Sequence, residues 1–217
     1  MIDPFEIIAL IGVVPVITID RVVDAIPLAD ALLEGGLPVA EITFRTPAAA
    51  EAIAMLASQR KELLVGAGTI LDASSLNDAV RSGARFGLAP GFDKTIFDAA
   101  IAVALPFAPG ILTPTDLTNA VQCGVKLAKF FPAVPAGGAS MLSAISAPFA
   151  HTGIKFCPTG GITLETLGDW LSLSIVTAVG GAWIAPAKDI REGNFKDIQQ
   201  RARAAVDRAR QFLEKRG

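Results

Sequence analysis

Cysteine and histidine are nearly missing from this 217-residue chain, which has two of the first and one of the second. Cys123 and Cys157 fall in no CxxC or other close ligand spacing, so no zinc site and no dithiol redox motif is written here. Nothing cationic adjoins Cys157 in sequence, and it reads as an inert buried thiol. Charge is also scarce: 18% of residues are charged and the net charge is -2, which excludes a basic field able to recruit nucleic acid. Long apolar runs are absent too. The longest early one, "IIALIGVVPVITI", is broken by Gly12 and Pro15 and falls short of the roughly 20 residues that span a bilayer. Without the positively charged start of a signal peptide, the expectation is a cytoplasmic protein with no membrane contact.

What the chain does have is Ala, Gly, Val, Leu and Ile, with 52% of residues hydrophobic, as a buried parallel sheet requires. So little charge leaves apolar surface to hide in an oligomer interface. Short β-rich runs alternate with amphipathic segments from end to end: 13–19, 39–44, 63–68, 85–90, 106–111, 125–131, 155–161 and 175–181. Several intervening stretches, such as "RVVDAIPLADALLEGG", close on glycine as helices do. Eight β/α units with a repeat of roughly 20 to 25 residues predict an α/β fold, a (β/α)8 TIM barrel, in one domain over 1–217. The tail "REGNFKDIQQRARAAVDRARQFLEKRG" reads as the last helix, with Phe195, Ile198, Ala202, Ala205 and Ala209 on one face. The acidic residues mixed among its arginines mark a solvated face rather than a nucleic-acid patch.

In such a barrel, chemistry gathers at the carboxyl ends of the strands. The sixth strand, in "VKLAKFFPAV", places Lys129 on one face with Val125, Leu127 and Phe131. The second, "AEITFRT", turns Val39, Glu41, Thr43 and Arg45 to one face, and its apolar alternates suit the helix-packed outside. A deep carboxylate and a deep amine on separate strands are what imine chemistry needs. Arg45, expected nearer the rim, suits a substrate carboxylate, which a guanidinium grips with two hydrogen bonds.

The third strand ends in "VGAGT". Leu71 stands where a dinucleotide fingerprint needs its third glycine, so Gly66 and Gly68 are read as letting a ligand approach the backbone, with Thr69 offering a hydroxyl. The seventh and eighth end in "CPTGG" and "VGG", and Gly160, Gly161, Gly180 and Gly181 are expected to expose N–H groups to a phosphate. "APG" and "APGI" are taken as architecture. His151 precedes the seventh strand, on the amino-terminal side, and is assigned no role.

With these positions in order, the chain resembles the class I KDPG (2-keto-3-deoxy-6-phosphogluconate) aldolase and 4-hydroxy-2-oxoglutarate aldolase family. The resemblance runs over nearly the whole length through "VVPVI", "EITFRT", "VGAGT", "APG", "KFFPA", "FCPTGGI" and "VGGAW". It implies that Lys129 forms the imine, that Glu41 is the general acid/base, and that Arg45 and Thr69 hold the pyruvate carboxylate. It places Thr159 near the hydroxyl-bearing part of the sugar acid and the two glycine pairs around phosphate. It further implies a homotrimer, a phosphorylated 2-keto acid and pyruvate as small-molecule partners, and neither cofactor nor metal.

The chain departs from the family pattern twice: Ala182 stands where a serine commonly follows the second Gly-Gly, and Val134 where an acidic residue often follows "FFPA". The first departure brings 4-hydroxy-2-oxoglutarate, cleaved to pyruvate and glyoxylate, into contention, because a hydrogen bond to a charged group is worth roughly 1.5 to 3 kcal/mol. A phosphosugar isomerase using Glu41 alone and a barrel that only binds a phosphometabolite are the remaining rivals.

Overall fold

The computed structural model describes residues 2–215, so residues 1, 216 and 217 of the expected 1–217 domain lie outside the described part. The early apolar run is divided at Gly12. Before it comes a helix, Pro4–Ile11, capped by the Asp3 carboxylate, which accepts from the Phe5 N–H at 2.9 Å, with proline at its first position. Gly12, at φ +78°, stops the helix in the left-handed conformation and releases the chain into a strand.

Among the described residues nine strands follow: β1 (Val13–Ile17), β2 (Val39–Thr43), β3 (Leu64–Gly68), β4 (Gly87–Leu88), β5 (Phe107–Ala108), β6 (Gly110–Ile111), β7 (Leu127–Phe130), β8 (Lys155–Pro158) and β9 (Val179–Gly181). Every pairing between them is parallel. They form a six-stranded sheet, ordered β5-β4-β3-β2-β1-β9, and a three-stranded sheet, β6-β7-β8. The expected fifth strand is therefore two short ones separated by Pro109, which has no N–H to give to a ladder. Its carbonyl still accepts from the Lys129 N–H at 2.8 Å. The expected eighth strand, 175–181, is regular only from Val179, and isolated parallel bridges join Phe156 to Val176 and Thr159 to Gly180.

Helices fill the connections, and their starts are legible locally. Asp72 and Ser75 form a reciprocal capping box on Ala73–Arg81, as do Thr113 and Asp116 on Pro114–Gln122. The final helix, Phe195–Leu213, buries Ile198, Ala202, Ala205 and Ala209, and Phe195 is partly covered. Among the described residues no helix is long and apolar enough to cross a membrane.

Parallel partners in register point to the same side of a sheet, which sorts the side chains into two faces. One face carries Val16, Glu41, Gly66 and, on the second sheet, Gly110, Lys129 and Cys157. The other carries Ile17, Ile42, Ala67, Ile111, Phe130 and Pro158. Phe5 of the first helix reaches Phe86, with ring centroids 6.1 Å apart, and so anchors that helix to the buried core.

Candidate active site

Glu41 from β2 and Lys129 from β7 lie 88 residues apart in sequence, and their side chains meet: Lys129 Nζ donates to Glu41 Oε1 at 2.9 Å. Both are buried, at 1% and 4% exposure. Two charges taken out of water hold together only when paired at close range, as here, and removing either partner would strand the other. The Phe131 ring stands 6.0 Å from the lysine nitrogen. Space for the carboxylate comes from Gly68: a Cβ there would lie 2.7 Å from both Cγ and Cδ of Glu41, and closer still to Oε1. Gly66 makes room in turn for the Phe86 ring, whose Cδ2 would be 2.5 Å from such a Cβ. The sequence reading of these two glycines is thus corrected. The groups that come close to their backbone belong to the protein.

Cys157 is the register partner of Lys129 across β7 and β8. Burial pushes its thiol up to about 12, the Lys129 charge working the other way. It is buried as expected, yet a cation does adjoin it, across the sheet rather than along the chain.

Arg45 departs from the expected alternation. Strand β2 stops at Thr43, the Phe44 N–H turns to the Gly68 carbonyl at 2.8 Å, and Arg45 lies exposed in the turn that follows. It has no ion-pair partner among the described residues. Thr69, directly after β3, holds φ at +59°, an uncommon conformation for a β-branched residue. Such strain persists only where the surroundings enforce it.

The two glycine pairs differ in backbone structure. Gly160 and Gly161 have φ of +104° and +80°, which only glycine adopts readily, and the Gly161 N–H has no hydrogen-bond partner among the described residues. Gly180 and Gly181 lie within β9, paired with Val14 and Pro15, and so are not a loop exposing its backbone. A Cβ on Gly180 would strike the Thr159 side chain, 2.9 Å from its Cγ2, and one on Gly181 would enter the Trp183 ring, 2.5 Å from Cη2. Thr159 itself is buried, with its hydroxyl 3.4 Å from the Cys157 carbonyl. Past β9, Ala182 is exposed, and its N–H also lacks a partner among the described residues.

Val134 is 44% exposed and stands against the glycine turn: a Cβ on Gly161 would lie 2.8 Å from its own. Its N–H donates to the Gly160 carbonyl at 3.0 Å, and the Ala133 N–H to that of Thr159 at 2.8 Å, so the segments after β7 and β8 are tied together. His151 is exposed in a short 3-10 helix, Ala147–Thr152, ahead of β8. Among the described residues no group of three or more acidic, histidine or cysteine side chains could hold a metal ion.

The family model of KDPG and KHG aldolases matches residues 5–201. The chain belongs to the KDPG and KHG aldolase family. It is 40% identical over 198 residues to the 2-dehydro-3-deoxy-phosphogluconate aldolase of Treponema pallidum, covering 91% of this chain and 93% of that one. It is equally similar, at 40% over 198 residues, to the KHG/KDPG aldolase of Escherichia coli K12, covering 91% and 92%. Among solved structures it matches a Legionella pneumophila KDPG aldolase with pyruvate captured as a covalent carbinolamine intermediate, with TM-score 0.89, 39% identity, and 94% and 98% of the two chains covered. The Zymomonas mobilis ZM4 KDPG aldolase, solved with 3-phosphoglycerate, matches with TM-score 0.86 and 35% identity over 94% and 95%. Membership makes the chain a carbon–carbon lyase of this family.

Two features of this aldolase went unseen in the sequence. The fit of Gly68 to Glu41 needed the β2–β3 register, which sets Thr43 opposite Gly68. A hydroxyl chain at the ends of β1 and β2 also went unnoticed: Thr43 donates to the Ile17 carbonyl at 2.9 Å and lies 3.0 Å from the Thr18 hydroxyl. The signal available was a threonine at the carboxyl end of each of two strands.

Proposed function

We propose that the two parallel sheets are one closed (β/α)8 barrel forming a single domain, and that its interior face cleaves 2-keto-3-deoxy-6-phosphogluconate to pyruvate and glyceraldehyde 3-phosphate. The bridges between β8 and β9, and the single covalent step through Pro109 from β5 to β6, support closure. The observation that carries the function is the buried Lys129–Glu41 pair at 2.9 Å in a member of this family.

In this reading Lys129 passes a proton to Glu41 and attacks the C2 ketone with its free electron pair. The carbinolamine loses water, with Glu41 returning the proton, and a protonated imine results that draws electrons from the C3–C4 bond. Glu41 then takes the proton of the C4 hydroxyl as that bond breaks, which releases the aldehyde and leaves an enamine. Protonation at C3 and hydrolysis of the imine free pyruvate and the lysine. Arg45 and Thr69 hold the substrate carboxylate, Arg45 being an exposed guanidinium beside the mouth with no competing partner. Thr159 faces the hydroxyl-bearing carbons, and Gly160, Gly161, Gly180 and Gly181 surround the phosphate, with the Gly161 and Ala182 N–H groups as its donors.

The reading extends to a cytoplasmic homotrimer, in keeping with exposed apolar side chains such as Val23 and Leu71; a monomer by light scattering would count against it. A second reading, 4-hydroxy-2-oxoglutarate as the preferred substrate, rests on Ala182, which has no hydroxyl to offer a phosphate. The comparison of kcat/KM for the two substrates decides between them, with the phosphorylated one expected to be preferred. Lys129→Arg separates imine chemistry from isomerisation by Glu41 alone: cleavage is expected to vanish, and surviving turnover would contradict the proposal.

A further inference from the structure

The Thr18–Thr43 pair has a direction. A hydroxyl has one proton, and that of Thr43 is committed to the Ile17 carbonyl at 2.9 Å. In the 3.0 Å contact between the two threonines, Thr18 must therefore be the donor. Its own proton spent, the Thr18 oxygen keeps only lone pairs, and no other group among the described residues bonds to it. Thr43 is fully buried and Thr18 half-buried, so the open side of the pair is the Thr18 oxygen.

Its position lies on the substrate's path. Thr18 is the first residue past β1, and its hydroxyl meets that of Thr43, which lies two residues beyond Glu41 within β2 and so on the Glu41 face, one step nearer the mouth. In the strand order β2-β1-β9, the strand it extends lies between that of Glu41 and that of Gly180 and Gly181. A chain that reacts at Lys129 and Glu41 and ends at the glycine pairs passes Thr18 on its way.

We propose that Thr18 is a specificity-determining residue, a pure acceptor for the hydroxyl on the carbon between the cleaved bond and the phosphate of the substrate. The proposal rests on the aldolase reading. It also makes a choice between substrates, because 4-hydroxy-2-oxoglutarate has at that carbon only a carboxylate, with no proton to give to an acceptor.

The test compares kcat/KM for 2-keto-3-deoxy-6-phosphogluconate and 4-hydroxy-2-oxoglutarate in the wild type, Thr18→Val and Thr18→Ser. Loss of one neutral hydrogen bond predicts that the ratio in favour of the phosphorylated substrate falls about three- to tenfold in Thr18→Val. It should stay within about twofold of wild type in Thr18→Ser, which keeps the hydroxyl. An unchanged ratio in Thr18→Val, or an equal fall in both variants, overturns the proposal, since a merely structural pair would alter the two substrates alike. Failure of the underlying reading looks different: the wild type would then cleave neither substrate.

Discussion

Gly68 offers the sharpest structural test, because a side chain added there would run directly into Glu41. Its backbone lies outside the positive-φ region, so alanine is conformationally admissible there. The new Cβ, however, would stand 2.7 Å from Cγ and Cδ of Glu41, against the 3.4 Å at which ordinary contact begins, so the side chain must retreat by about 0.7 Å and its Oε1 by more. Glu41 is 1% exposed, so its carboxylate has no open solvent to swing into. A shift of that size directed away from Lys129 would stretch their 2.9 Å bond beyond hydrogen-bonding range. Misplacing a reacting group by about 1 Å costs on the order of a hundredfold in rate, and overpacking costs roughly 1 to 3 kcal/mol of stability.

Gly68→Ala is therefore expected to fold, to lose a few degrees in Tm, and to lose about a hundredfold in kcat/KM. Pyruvate release, coupled to NADH oxidation by lactate dehydrogenase, supplies the rate, and circular dichroism the melting curve. Adding Glu41→Asp should restore the Tm of Gly68→Ala by shortening the clashing side chain, without restoring cleavage. Wild-type kcat/KM in Gly68→Ala would refute the argument, and so would a double variant no more stable than the single one.

Two further outcomes follow from the same geometry. Ala182→Ser adds a hydroxyl beside the unpartnered N–H groups of the distal site and should raise kcat/KM for the phosphorylated substrate about tenfold; equal gains for the unphosphorylated one would show that the residue does not face the phosphate. Cys157 sets a stability limit in alkali, because its folded thiol is raised from 9.0 to about 12 by burial. Above pH 9 the unfolded chain has released that proton while the folded one keeps it, so stability falls with rising pH by up to about 1.4 kcal/mol per unit. Urea unfolding between pH 8.5 and 10.5 should fall less steeply for Cys157→Ala than for wild type, and parallel slopes would contradict this.

Much of the site was legible because strand alternation is a local property. Lys129 stands in line with Leu127 and Phe131 at period two, and Glu41 alternates with the apolar Ala40 and Ile42 of the helix-packed face, which turned both inward. For Arg45 that local argument runs out: the alternation continues on paper, whereas the strand ends at Thr43 once Phe44 bonds to Gly68. The glycines of "VGAGT" were misread because sequence records a missing side chain but not what occupies the space. Here that is Glu41 and Phe86. The neighbour of Cys157 and the direction of the Thr18 hydroxyl were hidden because both depend on register between strands distant in sequence. The break at Pro109, by contrast, could have been read directly, since a proline inside a strand removes a ladder donor.

The most direct measurement is covalent trapping. Incubation with pyruvate and sodium borohydride, followed by proteolysis and mass spectrometry, should place a single reduced pyruvyl adduct on the peptide bearing Lys129 and none on Lys126 or Lys155. An unmodified Lys129, or an adduct at any other lysine, would contradict the assignment of the imine to the amine that Glu41 holds.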